Sequence, residues 1–195
     1  MVNYPTPKNK IKNQDIRRST ITQYGKRGMS LEDDINATNA YYLNIAKAVI
    51  HKKPTPIQIV KVDYASRSTA KITEAYFRKP STTDYNGVYR GKAIDFEAKE
   101  TASLTSFPLK TIHKHQLIHL QNVLKQGCLA FVLIKFTAYD KTFLIKAEDI
   151  IRFSEGSKRS IPYKWFEDNA YLIPFGLTPP IDYLCIIDTL YFKGE

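Results

Sequence analysis

The sequence predicts a three-layer α/β domain with a central mixed β-sheet flanked by helices. Helical and strand periodicities alternate along the chain, which favours a sheet covered by helices over a bundle or a sandwich. The longest apolar run, Cys128 to Ile134, is seven residues, suited to a buried strand and far too short to span a bilayer. A length of 195 residues with 43% hydrophobic content is enough for one domain with a sizeable core.

Residues 1–29 hold seven basic side chains, Arg17, Arg18, Lys26 and Arg27 among them, against the single acid Asp15. With few apolar residues, this stretch is expected to be a disordered basic arm that docks on phosphates, ahead of a single folded domain over 30–195. A helix is predicted from Leu31 to Ile50. Ser30 is a natural cap, Glu32, Asp33 and Asp34 suit the positive helix end, and Leu31, Ile35, Tyr42, Leu43, Ala46 and Val49 share one face. Glu32 lies at the edge of that face and is a candidate additional acid in a site.

Pro54 and Pro56 end that segment, and Ile57 to Val62 alternates as a strand. Residues 63–80 mix Arg67, Lys71, Arg78 and Lys79 with Tyr64, Tyr76 and Phe77, and read as a protruding hairpin or long loop. Aromatics beside cations can stack on unpaired bases. Asn86-Gly87 reads as a turn. Further along, a helix is predicted over 112–126 with Gly127 as its stop, strands over 129–136 and 141–146, and a short helix from about Ala147. Ile181 to Ile187 fits a strand or a helix.

Lys plus Arg number 29 and Asp plus Glu 19, a formal charge of +10 that favours a polyanionic partner, most often nucleic acid. The two cysteines, Cys128 and Cys185, sit in apolar runs and are expected to be buried free thiols. Without a disulfide framework or an apolar leader, a cytoplasmic location is expected. His115 and His119 share a helix face, but no HExxH pattern or cysteine ligand accompanies them. Gly25-Lys26-Arg27-Gly28 lacks the spacing of a phosphate-binding loop, and no serine or cysteine nucleophile carries a local signature.

The densest chemistry lies in Thr82-Thr83-Asp84-Tyr85-Asn86-Gly87 and Ile94-Asp95-Phe96-Glu97-Ala98-Lys99. The second segment alternates, so Ile94, Phe96 and Ala98 face a core and Asp95, Glu97 and Lys99 face the other way. Asp84 reaches the same place if its segment pairs alongside. Two carboxylates suit Mg²⁺, which takes hard oxygen ligands, polarises a phosphate and acidifies a bound water. A lysine beside them stabilises charge developing on phosphorus. Gln116 falls inside the apolar stripe of its helix, where a buried amide needs partners. Its backbone neighbours would satisfy it as well as a metal site would.

These two segments, with Glu100-Thr101, resemble the central motifs of the RecU family of Holliday junction resolvases. The resemblance runs from the basic tail through Phe192. It implies a restriction-endonuclease-like, PD-(D/E)xK-type core with a stalk formed by about 63–80. It also implies Mg²⁺ (with Mn²⁺ able to substitute) held by Thr82, Asp84, Glu97 and Gln116, with Lys99 as transition-state stabiliser. The expected partners are four-way junction DNA, a second copy of the chain in a homodimer, and recombination proteins. Thr83 stands where the broader superfamily has the proline before the first aspartate. Two other readings share the charge and the aromatics: a non-catalytic junction-binding architectural protein, and a related nuclease that cuts duplex DNA.

Overall fold

The computed structural model of this chain describes residues 30–64, 66, 68–78 and 80–192. The predicted basic arm, with Arg17, Arg18, Lys26 and Arg27, lies outside the described residues, as do Arg67 and Lys79.

Helix α1 (Leu31–Asn44) begins as its sequence dictates. The Asp33 backbone N–H donates to Ser30 Oγ at 3.2 Å, and Asp33 Oδ2 accepts the Ser30 N–H at 3.2 Å. The helix stops at Asn44 rather than near Ile50. Ala46 takes a φ of 53°, and Lys47 N–H donates back to the Tyr42 carbonyl at 2.8 Å. The β-branched pair Val49-Ile50 then opens strand β1 (Val49–Lys52). Leu43, predicted on the apolar face, is exposed.

Strands β2 (Ile57–Asp63) and β3 (Lys71–Phe77) pair antiparallel with each other and stand apart from the main sheet. Nearly every residue of the ribbon is exposed, Tyr76 and Phe77 among them. The hairpin therefore starts before residue 63, because the alternating segment 57–62 is its first strand.

Strands β4 (Tyr85–Tyr89) and β5 (Lys92–Thr101) turn at Arg90-Gly91, both with positive φ (46° and 73°). The turn expected at Asn86-Gly87 lies inside β4 instead. Gly87 is there for close approach: a Cβ would sit 2.1 Å from the Val49 carbonyl oxygen and 2.6 Å from Ile50 Cα. Both obstacles are backbone, so β1 must move. Gly87→Ala is expected to cost at least about 1–3 kcal/mol of stability, read as a fall in melting temperature. Unchanged melting would refute the close packing of β1 on β4.

The chain continues through β6 (Ser106–Pro108), a 3-10 turn at 109–111 and α2 (Lys114–Lys125), which Gly127 closes with a φ of 78°. Then come β7 (Leu129–Phe136), β8 (Lys141–Lys146), α3 (Ala147–Glu155), β9 (Ser160–Pro162), α4 (Tyr163–Asn169), β10 (Tyr171–Ile173) and α5 (Tyr183–Tyr191). The six-stranded sheet has the order β1-β4-β5-β7-β8-β10, parallel between β5 and β7 and antiparallel elsewhere. A parallel pair needs a crossover, and α2 supplies it. This is the central mixed sheet with flanking helices that the sequence predicts.

Each face of the sheet has its own core. Tyr42 of α1 and Tyr183 of α5 pack against Phe96 and Phe131, with Tyr85, Phe96 and Phe131 stacked at 4.8 and 4.7 Å. On the other face, Leu120, Ile150 and Phe166, from α2, α3 and α4, cover Val132, Ile134 and Phe143. Every residue of β7 is buried, as a continuous apolar run requires. The segment around Ile181–Ile187 resolves as helix, and Cys185 on it is exposed rather than buried, while Cys128 is partly buried.

Candidate active site

The register of β4 on β5 brings the acidic residues together. Tyr85 pairs with Phe96, so Asp84, one residue before β4, stands opposite Glu97. Tyr85 and Phe96 belong to the α1–α5 core. Strand alternation therefore puts Asp95, Glu97 and Lys99 on the opposite face.

That face is far from solvated. Glu97 is fully buried, and Asp95 nearly so. Lys99 Nζ donates to Glu97 Oε1. Glu97 Oε2 is buried and receives no hydrogen bond among the described residues. Burial, reinforced by the neighbouring Asp84 carboxyl, pushes the Glu97 pKa up to about 8 despite the pull of Lys99. Two carboxyl groups hydrogen-bonded to each other, one of them buried with no N–H or hydroxyl donor on its second oxygen, are the chemistry a hard divalent cation satisfies once the proton leaves. Among the described residues no three His, Cys, Asp or Glu side chains form a closed metal cage. Mg²⁺ needs none, since it keeps several waters and takes hydroxyl, amide and phosphate oxygens.

Of the other predicted ligands, Thr82 shares a cleft with Asp84, while no hydrogen bond joins Gln116 to Asp84 or Glu97 among the described residues. Thr82 borders the same cleft as Asp84, its hydroxyl donating to the Thr83 carbonyl at 3.2 Å with oxygen lone pairs left over. Gln116 is buried in the first turn of α2, and its Oε1 accepts the His113 N–H at 2.9 Å. That bond satisfies the amide through backbone and leaves the oxygen a second lone pair. Glu32 pairs with Lys52 and lines, with Asp84, two openings of about 270 Å³ each. Lys99 lines one of them and Lys53 the other. Lys71, Tyr76, Phe77 and Arg78 lie on or beside β3, in the ribbon and outside this site. Phe77 is 84% exposed and Tyr76 61%, its hydroxyl donating to Glu74 at 2.8 Å.

Sequence reasoning missed a polar cluster beside the carboxylates. Lys53 Nζ lies 2.8 Å from Asp95 Oδ2 and 3.0 Å from Thr83 Oγ1. Thr83 donates to Asp95 Oδ1, and His119 Nε2 sits 3.1 Å from Asp95 Oδ2. Asp95 was visible as the second carboxylate on the site face. Its partners come from three separate segments, which no spacing rule connects.

Asp84, Glu97 and Lys99 thus meet beside one face of the mixed sheet, two carboxyl groups with an ammonium next to them. The family pattern described as Recombination protein U matches residues 26–189. The Holliday junction resolvase RecU of Oceanobacillus iheyensis is 52% identical over 196 residues, covering 98% of this chain and 100% of that protein. The Holliday junction resolvase RecU of Listeria welshimeri is 55% identical over 183 residues, covering 92% of this chain and 90% of its own. The chain belongs to the RecU family. The solved Hjc Holliday junction resolvase of Archaeoglobus fulgidus is matched at 8% identity and a TM-score of 0.40, over 70% of this chain and 93% of that one.

Proposed function

We propose that this chain is a structure-selective, Mg²⁺-dependent endodeoxyribonuclease that resolves Holliday junctions by paired symmetric nicks. The buried Glu97, with one oxygen lacking a donor and the Asp84 carboxyl beside it, carries the reading. The family relationship supports the substrate, since the relatives compared are themselves named Holliday junction resolvases.

Asp84 and Glu97 supply the charged ligands, with Thr82 and Gln116 offering neutral oxygens. Mg²⁺ bound there supplies Lewis-acid polarisation of the scissile phosphate and a more acidic water. Lys99 holds its ammonium against Glu97, partly exposed at the cleft, where it meets negative charge growing on the phosphoryl oxygens. The stalk presents Tyr76 and Phe77 to unpaired bases, with Lys71 and Arg78 toward phosphates. The basic arm adds phosphate contacts. Two cuts placed symmetrically require two such sites, so the active species is a homodimer with twofold symmetry, working in the cytoplasm beside recombination proteins.

The experiment is incubation of the chain with a labelled four-way junction and with linear duplex of the same sequence, with and without Mg²⁺. Nicking of the junction alone, at symmetric positions and abolished by EDTA, is the expected result. Binding without nicking would establish the architectural reading. Equal cleavage of duplex would remove the junction selectivity.

A further inference from the structure

The stalk leaves the sheet just after β1, at Lys53, and the chain returns to it at Thr83, just before β4. At these two feet, Lys53 N–H donates to the Asp84 carbonyl at 2.7 Å, extending the β1–β4 ladder to the proposed ligand itself. The Lys53 ammonium reaches Thr83 Oγ1 and Asp95 Oδ2, and lies 3.5 Å from His119 Nε2. The Thr83 hydroxyl closes the ring onto Asp95 Oδ1. Thr83 and Asp95 are both buried, so these bonds compete little with water.

Thr83 lies between Thr82 and Asp84 in the chain, and Asp95 is two residues from Glu97 on the same strand face. The cluster therefore ties the loop carrying one half of the cation cradle to the strand carrying the other half. While Glu97 keeps its proton, a hydrogen bond to the Asp84 carboxyl joins the two halves; a cation displaces that proton, and the halves then bear like charges with that bond lost. Mg²⁺ demands near-octahedral geometry with ligands at about 2.0–2.1 Å, so a small outward shift of the loop weakens binding steeply.

We propose that Lys53, Thr83 and Asp95 are positioning residues that preset the spacing between the Thr82–Asp84 loop and Glu97 for cation binding. They touch neither cation nor phosphate in this role. The Lys53 ammonium is engaged by protein partners and is not a DNA contact. The proposal rests on the metal-site reading above.

The test is Mn²⁺ titration followed by electron paramagnetic resonance, in the absence of DNA, on Thr83→Val, Thr83→Ser, Lys53→Met and Asp84→Asn. Valine matches threonine in shape and removes the hydroxyl, whereas serine keeps it. Thr83→Val and Lys53→Met are expected to weaken Mn²⁺ binding about tenfold, with Thr83→Ser close to wild type. Junction affinity measured in EDTA should be unchanged in all three. Asp84→Asn should lose most binding. Should Lys53→Met fail to fold, Thr83→Val decides alone. A Thr83→Val variant that binds Mn²⁺ like the wild type, whatever its melting temperature, overturns the positioning role. An Asp84→Asn variant that also binds like the wild type removes the metal site, and the proposal with it.

Discussion

Asp84→Asn and Lys99→Ala are each expected to slow cleavage of a four-way junction by about 10²–10³-fold or more while leaving junction binding in EDTA intact. The two act differently. Asp84→Asn removes one of the two charged ligands proposed above, and no neighbouring carboxylate among the described residues completes a cage to replace it. Lys99→Ala removes the ammonium paired with Glu97 Oε1 at the mouth of the cleft. Misfolding is a weak explanation for the first loss. Asparagine keeps the shape of Asp84, and its amide oxygen can still accept from the protonated Glu97 carboxyl, so the variant should melt close to wild type without metal. Wild-type cleavage by either variant would dismantle the active site proposed for this chain.

The second large effect is on pH. The Glu97 pKa moves from 4.5 to about 8 in the folded protein. Between these values the folded chain holds a proton that the unfolded chain has released. Stability therefore falls as pH rises through that window and levels off above it. One pKa unit corresponds to about 1.4 kcal/mol, so the contribution is of the order of several kcal/mol. Glu97→Gln removes the titration. Melted in EDTA from pH 5 to 9, the variant should gain on the wild type steadily up to about pH 8. If Mg²⁺ binds at Glu97 as proposed, it must displace the same proton, so its affinity for the wild type should rise with pH over the same range. Two melting profiles that run parallel across the series would show that Glu97 ionises as an ordinary carboxylate.

Both effects depend on residues that pattern alone could locate. Ile94, Phe96, Glu97 and Lys99 show strand alternation directly, and the continuous apolar run over 129–136 marks β7 itself as a buried strand. What pattern could not supply was pairing. Asp84 reaches Glu97 only because β4 lies on β5 in one register, and Asp95 finds Lys53, Thr83 and His119 only after four segments have assembled. The burial of Glu97 was hidden for the same reason, since alternation gives a direction and not a depth. Two errors have local causes. No Gly or Pro marks the end of α1, where Ala46 instead takes the left-handed conformation. Ile57 to Val62 alternates like a strand with a core side, yet Ile57, Ile59 and Val60 lie exposed on a two-stranded ribbon.

The single bond from Lys53 N–H to the Asp84 carbonyl has an architectural meaning of its own. It places the exit and the re-entry of a thirty-residue excursion side by side, so the catalytic domain sees that excursion only as a loop closed at its neck. A change in the length of the ribbon beyond that neck therefore puts little strain on the six-stranded scaffold. The two-stranded ribbon and the six-stranded sheet thus form separate hydrogen-bonded units, joined at a narrow neck where Lys53 meets Thr83 and Asp84.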